Sequence, residues 1–154
     1  MEFVFNEWFL DWHLPNSVSE KKRNVRHIFE WLLASKEHRL VVLSPSPFIK
    51  KLNDFRKAHS SGFTGGALKE FISGVLLSRE RCRLLEIPPE LPPDILEKLS
   101  IGNFASDRYL FEAAETTAEK IIVTTDTKLM KHFEGNGRYQ LWSVEEFMAK
   151  FGIQ

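Results

Sequence analysis

The stretch SDRYLFEAAETTAEKIIVTTD, from Ser106 to Asp126, is the most informative part of this chain. Apolar and small residues after Arg108 recur at helical spacing, and the β-branched run Ile121–Val123 predicts a strand after them. About 13 helical residues rise roughly 19 Å, and about six strand residues return roughly 20 Å. If the helix packs antiparallel on its strand, Asp107 and Asp126 finish on the same edge of the domain. Two carboxylates at the carboxyl end of a strand supply the oxygen ligands that hard divalent cations take.

Length and composition bound the class of protein. The 154 residues, 43% of them apolar, suit a single domain over 1–154 with a real hydrophobic core. No apolar run reaches the roughly 18 residues that a transmembrane helix needs, and the first residues lack the pattern of a secretory signal. The only cysteine, Cys82, excludes an internal disulfide. We therefore expect a soluble cytoplasmic protein without a membrane partner.

The net charge is zero, but the charged residues are unevenly distributed. Residues 44–84 carry eight basic and three acidic side chains, whereas residues 85–154 carry seven basic and twelve acidic ones. A basic middle beside an acidic C-terminal third is typical either of a nucleic-acid surface near an acidic centre or of solvated helix faces. The composition leaves both interpretations open.

Short apolar strands alternate with amphipathic helices along the chain. Strands are predicted at Phe3–Phe5, Arg39–Leu43, Ile121–Asp126 and Tyr139–Trp142, and helices from Ser17 or Ser19, after Ser44, over 68–77, from Pro92 or Pro93, after Asp107, over 127–133 and over 144–151. Residues 83–87 fit either a third strand or a helix end, and the glycine-rich segment 59–66 predicts a flexible loop. Ser143 and Glu146 predict a capping box. This alternation predicts a three-layer α/β/α sandwich with a mainly parallel central sheet.

With this order of elements, the residues around the two aspartates resemble the PIN-domain family. The family pattern is an aspartate that opens a helix, a small-residue stripe, and a strand that ends in a threonine-rich turn and a second aspartate. Here these features are Asp107, Ala113–Ala114, Thr124–Thr125 and Asp126. The order of elements matches over nearly the whole chain. Members are mostly metal-dependent ribonucleases, including toxins of toxin–antitoxin pairs, so the resemblance implies a PIN-like endoribonuclease that hydrolyses single-stranded RNA.

The resemblance also implies which residues hold the metal and the RNA. Asp107, Asp126 and Asn6 are the predicted catalytic residues, and together with Glu7 they are the predicted ligands of Mg²⁺ or Mn²⁺. The basic segment would hold the phosphate backbone of the RNA. The predicted nucleic-acid contacts are Lys50, Lys51, Arg56, Lys57, Arg108 and Lys128. An antitoxin or other protein partner and a homodimer are further possibilities that the family implies.

Two positions depart from the family pattern and leave other hypotheses open. The family has an aspartate where this chain has Asn6, and an acid, usually glutamate, in the helix where this chain has Lys50 and Lys51. The alternative function is therefore a catalytically degenerate PIN-like domain that binds RNA or a protein. A third hypothesis is an unrelated α/β domain in which Asp107 and Asp126 are only helix caps.

Overall fold

A sheet of five parallel strands forms the centre of the computed structural model, which describes residues Met1–Gln154. The strands are β1 (Glu2–Phe5), β2 (Arg39–Leu43), β3 (Cys82–Leu85), β4 (Ile121–Val123) and β5 (Gln140–Trp142). Their order across the sheet is β3-β2-β1-β4-β5, and every neighbouring pair is parallel. The chain thus moves outward from β1 to β3 and then returns to place β4 on the other side of β1. Open α/β sheets bind ligands at such a switch point, beyond the carboxyl ends of the strands.

Eight helices connect the strands and cover the sheet. They are α1 (Trp8–Asp11), α2 (Ser19–Ala34), α3 (Pro47–Ala58), α4 (Gly62–Phe71), α5 (Pro93–Ile101), α6 (Arg108–Glu115), α7 (Thr127–His132) and α8 (Val144–Phe151). A π-helical turn, Ile72–Leu76, extends α4, and a 3₁₀ turn, Ala105–Asp107, precedes α6. The predicted three-layer α/β/α sandwich is confirmed, with a sheet that is parallel throughout. None of the helices combines the length and the apolar character that crossing a bilayer requires.

Aromatic side chains of β1 fill one face of the sheet. Phe3 and Phe5 point to the same face, because side chains alternate along a strand. Their rings meet the ring of Phe147 in α8, with centroid distances of 5.1 and 5.3 Å. Trp31 of α2 lies 6.1 Å from the ring of Phe3. The first strand is therefore the centre of the layer formed with α2 and α8.

The opposite face of the sheet is covered by α6, which packs on β1, β2 and β4. Glu2 and Val4 alternate with the aromatic residues and point to this face. The carboxylate of Glu2 accepts two hydrogen bonds from Arg83, each 3.0 Å long. Arg83 in turn donates to the carbonyl oxygen of Thr116, just after α6, at 3.2 Å. This network ties the amino ends of two strands to the end of the helix above them.

The decisive helix and strand are both shorter than predicted. α6 has 8 residues instead of about 13, and β4 has 3 instead of about six. The helix ends early because the hydroxyls of Thr116 and Thr117 donate back to the carbonyl oxygens of Ala113 and Ala114, at 2.8 and 2.7 Å. Lys120, with a left-handed φ of 55°, then turns the chain into β4. Because α6 and β4 are both shorter than predicted, Asp107 before the helix and Asp126 after the strand still lie at the same edge of the sheet.

The prediction of a flexible loop over 59–66 is wrong in its second half, because α4 starts inside it. Gly65 lets this helix approach the preceding loop closely, since a Cβ there would lie 2.5 Å from the carbonyl oxygen of His59. Thr64 is buried, and its hydroxyl donates to the carbonyl oxygen of His13 at 3.2 Å. The small residues of this segment therefore serve close packing.

Two other points of the sequence are settled by the structure. Residues 83–87 begin in a strand, because β3 pairs in parallel with β2. The predicted capping box is confirmed: Ser143 Oγ accepts from the Glu146 N–H at 3.0 Å, and the Glu146 carboxylate accepts from the Ser143 N–H at 3.2 Å. Gly152, with a φ of 64°, closes α8 in the left-handed conformation that glycine adopts without strain.

His13 is a buried histidine that should control stability at low pH. Its ring packs edge-on against Phe9 and Phe29, and no group in the protein pairs with its Nε2. Burial, and then the charge of Arg26, lower its pKa to about 4. Because the unfolded chain keeps a pKa of roughly 6.5, it binds more protons than the folded state between these values. The free energy of unfolding is therefore expected to fall by about 3 kcal/mol as the pH drops from 7 to below 4.

Urea unfolding of the wild type and His13→Gln across this pH range measures the effect. Other groups titrate in both proteins, so the difference between the two curves isolates the histidine. The wild type should lose stability more steeply than the variant on going from neutral to acidic pH. Parallel curves would contradict the assignment.

Candidate active site at the carboxyl edge of the sheet

The candidate site lies where β1 and β4 end side by side. Asn6 follows β1, and its backbone N–H donates to the carbonyl oxygen of Val123 at 3.1 Å. Its side-chain amide donates to the hydroxyl of Thr124 at 3.1 Å. Trp8 Nε1 also donates to the carbonyl oxygen of Val123, at 2.8 Å. These hydrogen bonds connect the start of α1 to the end of β4, so they fix the backbone that carries the side chains of this edge.

Asp126 is positioned by hydrogen bonds on both sides. Its backbone N–H donates to Thr124 Oγ1 at 3.0 Å. Its Oδ1 accepts from the backbone N–H of Leu129 at 3.0 Å, which makes it the N-cap of α7. The cap uses one carboxylate oxygen and leaves the other available to a ligand.

Asp107 is the acid of this edge that lacks a partner. It immediately precedes α6, but its side chain makes no capping hydrogen bond. Burial, and then the negative charges of Asp126 and Glu7, together raise the pKa of Asp107 to about 6. The two aspartates therefore lie near each other at one edge, and the side chain of Asp107 does not cap α6. A proton or a cation beside Asp107 would relieve the repulsion.

A lysine ammonium lies between two acids at α1. Glu7 and Asp11 are four residues apart, so their side chains lie on the same side of this helical turn. The Nζ of Lys51 lies 3.4 Å from Glu7 Oε2 and 3.1 Å from Asp11 Oδ1. Burial lowers the pKa of Lys51, but the hydrogen bonds and charges of Asp11 and Glu7 outweigh this and raise it. Lys51 therefore stays charged and compensates both carboxylates.

The oxygen of Asn6, a predicted metal ligand, is already hydrogen-bonded within the protein. It accepts from the backbone N–H of Glu7 at 2.6 Å and from the hydroxyl of Tyr109 at 3.2 Å. A carbonyl oxygen has two lone pairs, so both are used. Burial raises the pKa of Tyr109, and nearby carboxylates add to it, so its hydroxyl keeps the proton that it donates. To bind a cation, the Asn6 oxygen would have to give up one of these two hydrogen bonds.

Half of the predicted nucleic-acid contacts are paired with acids. Lys51 belongs to the cluster at α1, as described above. Lys50 Nζ lies 2.9 Å from Asp54 Oδ2, one turn along α3. Arg108 Nε lies 3.6 Å from Glu112 Oε2, one turn along α6. A phosphate would have to compete with these carboxylates, which makes the three residues weaker candidates than the unpaired ones.

The other three predicted contacts, Arg56, Lys57 and Lys128, are exposed and unpaired. Lys128 lies in the first turn of α7, two residues after Asp126. Arg56 and Lys57 lie in the last turn of α3. Since a helix rises about 1.5 Å per residue, they are roughly 8 Å further along α3 than the lysine at the acids.

The donors that fit a divalent cation at this edge are the carboxylates of Asp107 and Asp126. Carboxylate oxygens suit Mg²⁺ and Mn²⁺. Asp107 has no competing protein partner, and Asp126 has one free oxygen. Glu7 is near enough to act on Asp107 by its charge, but it contacts Lys51. No three histidine, cysteine, aspartate or glutamate side chains come together as a metal-binding group.

The ion pairs that Lys51 makes with Glu7 and Asp11 were not predicted from the sequence. The four-residue spacing of Glu7 and Asp11 was the available signal, since it places two acids on one side of a helical turn.

No protein-family model matches the chain, and no curated protein matches its sequence. The fold and this edge therefore define the class of protein: an α/β/α domain with carboxylates at the switch point of a parallel sheet.

Proposed function

We propose that the chain is a metal-dependent endoribonuclease that resembles the PIN-domain family. The observation that supports this most is the pair of carboxylates, Asp107 and Asp126, at the switch point between β1 and β4. Asp107 has no protein partner, and the charge of Asp126 disfavours the ionised form of Asp107. Such a pair favours a bound cation, and the predicted RNA substrate supplies the negative groups on which that cation acts.

The proposed reaction is hydrolysis of a phosphodiester in single-stranded RNA. When bound, Mg²⁺ or Mn²⁺ supplies a lowered pKa for attacking water and positive charge for the phosphate oxygens. Asp107 and Asp126 would hold the ion. Asn6 donates to Thr124 after β4 and accepts from Tyr109 in α6, so the two segments that carry the carboxylates are joined before substrate binds. Lys128, exposed beside Asp126, would contact the RNA backbone.

Cleavage of end-labelled single-stranded RNA tests this function. The protein is incubated with Mn²⁺, with Mg²⁺ or with EDTA, and fragments are expected with either metal and not with EDTA. The double variant Asp107→Asn/Asp126→Asn, purified identically, controls for contaminating nuclease. Fragments that persist in EDTA, or that both preparations give equally, would contradict the proposal.

A second function, RNA binding without cleavage, is favoured by the contacts of Lys51 and Asn6. Lys51 already compensates Glu7 and Asp11, and the oxygen of Asn6 is fully hydrogen-bonded. An ammonium attracts phosphate as a point charge but does not activate water as a metal does. In this function the RNA backbone would compete with Glu7 and Asp11 for the ammonium of Lys51 in the absence of metal.

Lys51→Gln distinguishes the two functions. If the protein is a nuclease, this substitution removes the positive charge that pairs with Glu7. The Glu7 carboxylate would then be free to attract the cation, so Mn²⁺ should bind about tenfold more tightly. Lys50→Gln is the matched control, because Lys50 is the neighbouring residue, is 79% exposed and pairs with Asp54 instead. Calorimetric titration with Mn²⁺ measures both variants. Unchanged Mn²⁺ binding in Lys51→Gln, together with weaker RNA binding in EDTA, would favour the second function.

A further inference from the structure

A cationic cavity lies at the end of α3, away from the carboxylate edge. Its volume is about 490 Å³, and no hydrophobic side chain lines it. The lining side chains are Arg56, Lys57 and Lys69, with Asn53, His59 and Ser60. The two faces of this cavity come from the last turn of α3 and from α4.

The three cations of the cavity have no acid paired with them. The nearest acids along the same helices are used elsewhere: Asp54 contacts Lys50 at 2.9 Å, and Glu70 contacts Arg26 at 3.5 Å. The hydrogen bond from Lys50, with a smaller contribution from the charge of Lys57, lowers the pKa of Asp54, but Asp54 does not line the cavity. Three like charges around one space repel one another, and a bound anion would offset that repulsion.

The wall of the cavity is held by close packing. Gly65 also lines it, and a Cβ at this position would collide with the carbonyl oxygen of His59 at 2.5 Å. α4 begins beside the cavity without a side-chain cap, so the positive end of its dipole adds to the three cations. The cavity is therefore a defined concavity whose walls are fixed by backbone contact.

An exposed aromatic ring beside the cavity favours a nucleic-acid strand as the source of the anion. Phe63, in the first turn of α4, is 81% exposed. An exposed aromatic ring near a cationic groove is the combination that binds stacked bases and phosphates of single strands.

We propose that this cavity binds phosphate groups of a single-stranded nucleic acid. The inference rests on the proposed function for the kind of ligand, but it needs no catalysis. Of the six predicted nucleic-acid contacts, only Arg56 and Lys57 line this cavity. Lys69 lines it as well, although the sequence analysis did not predict Lys69 as a contact.

Fluorescence anisotropy of a labelled single-stranded RNA of roughly 12 nucleotides tests the inference, in EDTA so that no metal contributes. The cavity variant is Arg56→Gln/Lys69→Gln. The matched control is Arg79→Gln/Lys36→Gln, which removes the same two charge types from exposed residues before β3 and β2. The cavity variant should bind the RNA about tenfold more weakly than the wild type. The slope of its log Kd against log salt concentration should be smaller by about 1.4, because two phosphate contacts are lost. The control should bind as the wild type does.

Equal losses in the two double variants, or no loss in either, would overturn the inference. A nucleoside monophosphate is the second probe. If the cavity variant no longer binds the nucleoside monophosphate but binds RNA as the wild type does, the cavity binds a free phosphate compound. That result would overturn the proposal that it binds a nucleic-acid strand. The result is independent of cleavage: a protein that binds RNA through this cavity but never cuts it would overturn only the nuclease proposal.

Discussion

Asp126→Asn is expected to lower the rate of metal-dependent RNA cleavage at least about 100-fold while leaving the fold intact. The substitution removes the charge that binds the cation. It keeps the N-cap of α7, because an asparagine oxygen accepts from the Leu129 N–H as well as an aspartate oxygen does. The thermal midpoint should therefore stay close to that of the wild type. Rates under excess Mn²⁺, with melting curves of the same samples, measure both effects.

Two comparisons make the result specific. Asp126→Ala loses both the charge and the cap, so it should also melt about 2–4 °C lower, the shift that ~1 kcal/mol produces in a chain of this size. Asp54→Asn removes a carboxylate that pairs with Lys50 on the outside of α3, and it should cut RNA like the wild type. Equal rates for Asp126→Asn and Asp54→Asn would contradict the proposed site.

Phe9→Ala is expected to destabilise the protein by about 3–5 kcal/mol. The side chain of Phe9 is fully buried, and its ring centroid lies 5.4 Å from that of Phe5 and 5.1 Å from that of Phe71. It therefore joins α1 to the sheet and to α4, and its removal leaves a cavity at the base of the candidate site. Urea unfolding at neutral pH measures the loss.

Phe63→Ala is the matched control for this substitution, because the same ring is removed from a residue that is 81% exposed. It should change the free energy of unfolding by no more than about 0.5 kcal/mol. If Phe9→Ala does not fold, Phe9→Leu gives a smaller loss, of about 1–1.5 kcal/mol, that can still be measured. Similar values for the exposed and the buried phenylalanine would contradict the packing described here.

The sheet was predictable because short apolar strands such as Arg39–Leu43 alternate with amphipathic helices. The length of α6 was not predictable from apolar periodicity, since the hydroxyls of Thr116 and Thr117 end the helix while the small residues continue the pattern. The start of α4 was missed for a related reason. Its glycines resemble a loop in sequence, whereas Gly65 is needed for contact with the backbone before it.

Only the part of the candidate site that depends on the lengths of one helix and one strand was predictable from the sequence. Asp107 and Asp126 bracket one helix–strand unit, so nearly equal lengths bring them to the same edge. The ion pairs of Lys51 with α1 join residues 40 or more positions apart, and such contacts depend on how α1 and α3 pack. The bonds of Asn6 to Thr124 and Tyr109 likewise follow from the order of strands. Sequence patterns contain this information only after the topology is known.

Binding of Mg²⁺, followed by NMR at the side-chain carboxyl carbons, is the sharpest test of the proposed metal site, because Mg²⁺ is diamagnetic and adds no paramagnetic broadening. We predict saturable shifts at Asp107 and Asp126, no shift at Asp54, and a pKa of Asp107 that falls from about 6 as Mg²⁺ is added. The pKa falls because the cation competes with the proton for the same oxygens. Absence of a saturable shift at the two aspartates, with the pKa of Asp107 unchanged by Mg²⁺, would contradict the account.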